Sequence, residues 1–137
     1  MKMIIATLII GSMVGWPAYG QNSNGVLGTW LSEKKTARIQ VYRQKDKLYG
    51  KIVWVQDAST KDVNNPDEKL RNRPLIGLNL LSDFEEDGEN TWSGGKIYDP
   101  ESGKTYSCKM TLKGNTLEIR GYVGLSMFGR TSVWTRI

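Results

Sequence analysis

The run TWSGGKIYDPESGKTYSCKMTLKGNTLEIRGY, residues 91–122, sets the fold class. Within it Tyr106, Cys108, Met110 and Leu112 alternate with Ser107, Lys109 and Thr111, the period of two that gives a strand one apolar and one polar face. This predicts a strand over Thr105–Leu112, flanked by strands over Thr91–Tyr98 and Thr116–Tyr122. The intervening Asp99-Pro100-Glu101-Ser102-Gly103 and Gly114-Asn115 supply the fixed φ, local side-chain hydrogen bonds and positive φ that tight turns require. Connections this short join antiparallel neighbours. Gly94-Gly95 weakens a strand interior and reads as the bulge or bend that a barrel corner needs. A phosphate-cradling glycine loop requires a helix N-terminus after it, whereas Ile97, Tyr98 and the Pro100 turn follow here. Tyr98 and Tyr106 flank that turn and are expected to face each other across the hairpin.

Working outward, the same pattern predicts strands over Gly28–Leu31, Ala37–Tyr42, Leu48–Val55, Leu78–Phe84 and Thr131–Arg136. Lys45-Asp46-Lys47 and Asp87-Gly88 mark further turns. Eight antiparallel strands in meander order close into an all-β, up-and-down barrel without free edges, with an open two-sheet sandwich as the alternative. Closure brings Gly28-Thr29-Trp30 beside Trp134-Thr135-Arg136, so that a guanidinium lies over an indole face. Gly-x-Trp in a first strand and a basic residue in the last resemble the lipocalin-type, or calycin, barrels.

The first twenty residues differ in composition from the rest. Lys2 is a one-charge leader, Met3 to Trp16 an apolar stretch, and Ala18-Tyr19-Gly20 places small residues where a signal peptidase reads. The run is broken by Gly11, Ser12 and Gly15 and stops at Pro17, short of the roughly 20 apolar residues of a membrane span. Residues 1–20 therefore read as a signal peptide and residues 21–137 as one domain, exported to the periplasm or beyond. Without Lys2 the chain keeps 18 basic and 14 acidic residues, a charge of +4. The bases are scattered among acids rather than gathered in a stripe, which argues against a nucleic-acid partner.

Longer motifs carry a closer resemblance. NNPDEKLRNRPLIGLNLL (64–81), WSGGKIYDPESGKTYSCKMTL (92–112), LEIRGYVG (117–124) and SVWTRI (132–137) resemble the exported bacterial family called domain of unknown function 2147, or DUF2147. The resemblance spans essentially the whole chain after residue 20 and implies a small, secreted, lipocalin-like barrel. It implies no activity, and the family offers no established site residues to transfer.

Residues 62–77, DVNNPDEKLRNRPLIG, are the least strand-like stretch. Asn65 as cap, Pro66 at the first helical position and Glu68 three residues after the cap predict a short helix over 66–72. Asp67 and Arg71, four apart, are expected to pair on its surface, while Leu70, Leu75 and Ile76 hold it against the barrel. Pro74 biases Arg73 towards an extended backbone. Two roles are open to Arg73: contact with an anionic ligand at the barrel mouth, or an ion pair with Asp62 or Glu68 that staples the loop. Arg71, Asp62 and Asn64 are candidate ligand contacts beside it.

The sequence has no histidine, and its one cysteine, Cys108, falls on the inward strand face, where an apolar setting disfavours a reactive thiolate. Cys/His metal sites are excluded by composition, a calcium loop lacks its regular Asp/Asn spacing, and Glu85, Glu86, Asp87 and Glu89 cluster in a solvated turn. A non-enzymatic protein without cofactor is expected, with a small hydrolase or isomerase the weaker reading. An eight-stranded barrel is filled by side chains or holds one small ligand, so the leading expectation is a carrier of a small amphipathic or anionic molecule. The alternatives are a purely structural role, or an interaction module contacting an envelope protein or membrane surface through Leu125, Met127 and Phe128 in the loop GYVGLSMFGR (121–130). For processing, mass spectrometry of the exported protein is expected to find Gln21 at its N-terminus; a retained hydrophobic segment would overturn the signal-peptide reading.

Overall fold

The computed structural model describes residues 25–137, so the expected signal peptide and its cleavage point lie outside the described residues. Eight strands follow in order: β1 (Gly28–Leu31), β2 (Ala37–Gln44), β3 (Lys47–Val55), β4 (Asn79–Glu86), β5 (Thr91–Asp99), β6 (Lys104–Lys113), β7 (Thr116–Tyr122) and β8 (Arg130–Arg136). Each pairs antiparallel with the next, and β8 returns to β1, giving a closed barrel rather than a sandwich.

The alternating strand directions sort the connections between two ends. The β2–β3, β4–β5 and β6–β7 turns lie at one end together with residues 25–27. The longer β1–β2, β3–β4, β5–β6 and β7–β8 connections lie at the other. Large side chains fill the first end: Trp30, Phe84 and Trp92 are buried together with Leu48, Met110 and Leu117. Cys108 is buried as its strand phase requires. Burial pushes its thiol up to about 12, with only a backbone hydrogen bond from Arg120 opposing the shift.

Gly94-Gly95 forms the bulge its composition suggests. Gly94 has φ +72°, and the β5–β6 register shifts between Trp92 and Gly95. A Cβ on Gly95 would stand 2.5 Å from ring atoms of Phe84, so the missing side chain is what lets that ring lie against β5. The hairpin register corrects one expectation: the turn pairs Asp99 with Lys104, so Ile97 faces Tyr106 and Tyr98 faces Thr105, and the two tyrosines are not cross-strand partners. The helix expected over 66–72 is likewise reduced to a 3-10 turn at Glu68–Leu70, capped by Asp67, whose carboxylate accepts from the Lys69 amide.

Closure follows the expected pairing, with Trp30 opposite Arg136 and Leu31 opposite Thr135. The Arg136 guanidinium carbon stands 4.1 Å from the centre of the Trp30 ring. Arg136 also donates to the carbonyl of Leu27 at 2.9 Å and to that of Gly25, while the Trp30 indole donates to the Val26 carbonyl at 2.9 Å. One side chain thus ties the first strand, the last strand and the plug of residues 25–27. Replacing Arg136 by Ala is expected to lower stability by about 0.5–2 kcal/mol, read as a lower urea midpoint; an unchanged midpoint would count against this clamp.

Candidate functional site

Inward side chains shrink toward the end bearing the long connections. Ala37, Gly121 and Ser132 stand on that part of the wall, where the opposite end carries tryptophan and phenylalanine. Bulk that would fill the barrel is therefore missing, and a cavity of about 800 Å³ opens among the four connections. Ile39, Ile52, Val55, Ile97 and Ile119 supply an apolar wall, with Trp134 reaching it from β8. The volume lies within the range of small-molecule sites, roughly 300–1,000 Å³.

Polar groups gather at the rim, and most are engaged in shaping it. Glu33 accepts from the Val133 amide at 2.8 Å, and Lys34 reaches Glu101 at 3.8 Å across neighbouring turns. Asp99 accepts from the Glu101 amide and the Ser102 hydroxyl, fixing the β5–β6 turn. Asp57 accepts from the hydroxyl and amide of Ser59, and those bonds hold its carboxyl below the ordinary value. Arg130 also lines the cavity and makes no ion pair among the described residues.

The connection between β3 and β4 is pinned through Asp62. Its carboxylate is fully buried and accepts three hydrogen bonds: from the Tyr98 hydroxyl at 2.6 Å, from the Asn65 amide at 2.8 Å and from Arg73 Nε at 2.9 Å. Burial alone would raise its pKa. The bonds from Tyr98, Asn65 and Arg73, with the charge of Arg73, outweigh burial and leave it below the usual carboxylate value. The opposite shift falls on Tyr98, pushed up to about 12 by burial and by its bond to Asp62, so the phenol remains a donor.

The four candidate ligand contacts are all structurally employed. Asp62 is enclosed, and Arg73 takes the stapling role through it. Asn64 donates to the carbonyls of Pro100 and Glu101 at 3.1 and 2.9 Å, tying the segment to the β5–β6 turn. Arg71 does not pair with Asp67. Its Nε donates to the Asn65 carbonyl at 2.7 Å, and its Nη1 lies 4.0 Å from Glu68. The physical reason is the use of Asn65: its amide serves Asp62, and its carbonyl oxygen accepts from the Asp67 amide at 2.8 Å. That two-residue side-chain turn carries the chain through exposed Pro66 and delays the helical turn to Glu68–Leu70, which moves Asp67 into the cap. Leu75 packs against the core, whereas Ile76 is exposed. None of the four lines the barrel cavity; Leu80, Ile97 and Tyr98 do, and apolar and aromatic residues within strands carry no signal in sequence that separates a cavity wall from a packed core.

The β7–β8 connection rises beside the mouth. Leu125, Met127 and Phe128 are exposed, as is Val123. Arg120 holds this loop from below, donating to the carbonyls of Ser126 at 2.7 Å and Met127 at 3.3 Å and to the Thr131 hydroxyl at 2.7 Å. Phe128 and Val123 border the cavity. Among the described residues no group of three or more Cys, Asp or Glu side chains is placed to hold a metal ion.

Comparison with known proteins places this geometry. Residues 28–136 match the family described as uncharacterised proteins conserved in bacteria, DUF2147. Among solved structures, protein HP1028 from the human pathogen Helicobacter pylori, described as belonging to the lipocalin family, is similar: 30% identical, with 82% of each chain covered and a TM-score of 0.75. The search among curated proteins found no match.

Asp62 gives this site a measurable signature. Replacement by Asn keeps the shape but removes the charge that three donors converge on, and is expected to cost about 2–4 kcal/mol of stability. Because the folded pKa is depressed, the native carboxylate stabilises the fold fully above the unfolded carboxylate value, about 3.9. That contribution is lost as pH falls through the folded value. Urea midpoints measured against pH should therefore fall less steeply below about pH 4 in Asp62→Asn than in the wild type; parallel curves would mean that Asp62 does not anchor the loop.

Proposed function

This chain belongs to the DUF2147 family, and we propose that it is an exported binding protein that holds a small, mainly apolar molecule in the open half of its barrel. The observation that carries the reading is the cavity of about 800 Å³, sealed below by Trp30, Phe84 and Trp92 and open above among the rim connections. Transfer of apolar surface from water to the wall of Ile39, Ile52, Val55, Ile97 and Ile119 supplies the affinity, about 25 cal/mol per Å² buried before the costs of ordering. Charged groups stand at the mouth rather than on this wall, so the ligand is amphipathic, its polar end near the rim. The lipocalin-family description of the Helicobacter pylori protein supports a binding reading. So does the state of the lone cysteine, a buried thiol held protonated.

The rim loop favours a second reading. Exposed Val123, Leu125, Met127 and Phe128 stand on a backbone fixed by Arg120, and a fixed apolar edge of this kind is suited to contact with another apolar surface of the envelope.

Gly121 permits a direct test. A Cβ there would meet Ile97 at 3.4 Å and Tyr106 at 3.7 Å, ordinary contacts, so Gly121→Leu places its branches in the cavity without rebuilding the wall. Binding of the fluorescent probe N-phenyl-1-naphthylamine is expected in the wild type and at least tenfold weaker in Gly121→Leu, with the circular dichroism spectrum retained. A wild type that leaves the probe dark, or a folded variant with undiminished binding, would overturn the carrier reading and leave the rim-loop reading.

A further inference from the structure

A second cavity, of about 340 Å³, lies against the opposite face of the wall, between the loop of residues 56–78 and β4 and β5. Strand phase places it outside the barrel: exposed Lys96 sits between buried Gly95 and inward Ile97, and it faces Ser82 across the β4–β5 pairing. The chemistry of its lining is one-sided. Arg73, Lys96, Asn79, Ser82 and Thr105 all contribute, and neither Asp nor Glu does.

The donors are also oriented. Arg73 is held through Nε by the buried carboxylate of Asp62, which leaves its terminal nitrogens without a hydrogen bond among the described residues. Both oxygens of Asp62 are already occupied, Oδ1 by Tyr98 and Oδ2 by Asn65 and Arg73, and Asp62 itself does not line the cavity. Asn79 accepts the Tyr42 hydroxyl at 2.7 Å on its amide oxygen, which fixes the side chain and leaves its NH2 as the open group. Lys96 makes no ion pair among the described residues. Asp62, Arg73 and Lys96 together carry one net positive charge, and the hydroxyls of Ser82 and Thr105 add two rotatable donors.

We propose that this outer cavity binds an oxyanion, a phosphate or carboxylate group, between Arg73 and Lys96. Planar donors on a fixed guanidinium suit two oxygens of such a group, and an ammonium supplies the second charge. The proposal does not depend on the barrel cavity being filled. Its ligand is either a free oxyanion or the head group of a small amphiphile.

The test is an NMR titration of the chain from Gln21 to Ile137 with inorganic phosphate and, separately, hexyl phosphate. Saturable shifts are expected at the Arg73 Nε–H and at the amides of Ser82, Lys96 and Thr105. Lys96→Gln is the decisive variant, because Lys96 is exposed and holds no structural bond: it should weaken phosphate about tenfold at an unchanged unfolding midpoint. Arg73→Lys, which keeps the charge but not the fork, should weaken it as well, while Gly121→Leu should leave it unaltered even if the barrel probe is lost. Equal affinity for the two phosphates would assign a free oxyanion, and tighter hexyl phosphate the head group of an amphiphile. Shifts that never saturate, or phosphate affinity indifferent to Lys96→Gln, would overturn the site.

Discussion

The seam between β1 and β8 is the shortest in the barrel, two residue pairs where the other seams carry three to eight, and the closed architecture depends on it. Backbone pairing over so short a span is weak, so side-chain chemistry has to hold it. Arg136 does this in three directions, over the Trp30 ring and onto the carbonyls of Leu27 and Gly25. Space for the guanidinium exists because residue 28 is glycine: a Cβ there would stand 3.0 Å from Arg136 Nη1, and φ is +126°. Gly28, Trp30 and Arg136 thus form one device, and the chain segment they trap seals that end of the barrel.

Sealing one end gives the other its character. With Trp30, Phe84 and Trp92 at the closed end, interior volume there is filled, and stability does not require the open end to be filled too. Ala37, Gly121 and Ser132 leave it hollow. The long connections that surround the hollow end must satisfy their own backbone and cannot borrow a ladder. They do so with side chains, Asp57, Asp99, Glu33 and Arg120 each binding nearby backbone groups. The charged rim is therefore first a scaffold for the mouth, and the apolar wall beneath it stays open.

The barrel was readable in the sequence because its evidence is local and repeated. Period-two alternation, turn residues at short intervals and a paired Gly-x-Trp and Trp-x-Arg each report on strands whatever the tertiary context. What escaped was settled by turn register and shared side chains. The turn that pairs Asp99 with Lys104 sets Tyr98 opposite Thr105 rather than Tyr106. Asn65 looked like a helix cap, but its two side-chain atoms serve the Asp67 amide and the buried Asp62, and a buried carboxylate outcompetes the frayed start of a short helix. The same capture took Arg73. Its stapling bond turned on the burial of Asp62, whose other oxygen is held by Tyr98, thirty-six residues away in the chain. Both cavities were invisible to sequence for a related reason: volume is set by what faces what.

The length of the β3–β4 connection makes sense only when both cavities are considered. Adjacent antiparallel strands need a turn of a few residues, and a longer excursion generally carries structure or function of its own. Residues 56–78 form such an excursion, drawn together by the bridge between Lys61 and Pro74 and by the amide of Asp62 on the carbonyl of Arg73. Asp62 fastens it to Tyr98, and Tyr98 together with Leu80 borders both the barrel cavity and the outer one. The loop therefore builds a two-sided wall at the mouth, apolar toward the barrel axis and rich in donors toward the outside. Since Asp62 is held ionised by its three donors and Tyr98 is kept a donor, that wall is fixed by a charge-assisted bond that gives way only as pH falls through the depressed value of Asp62.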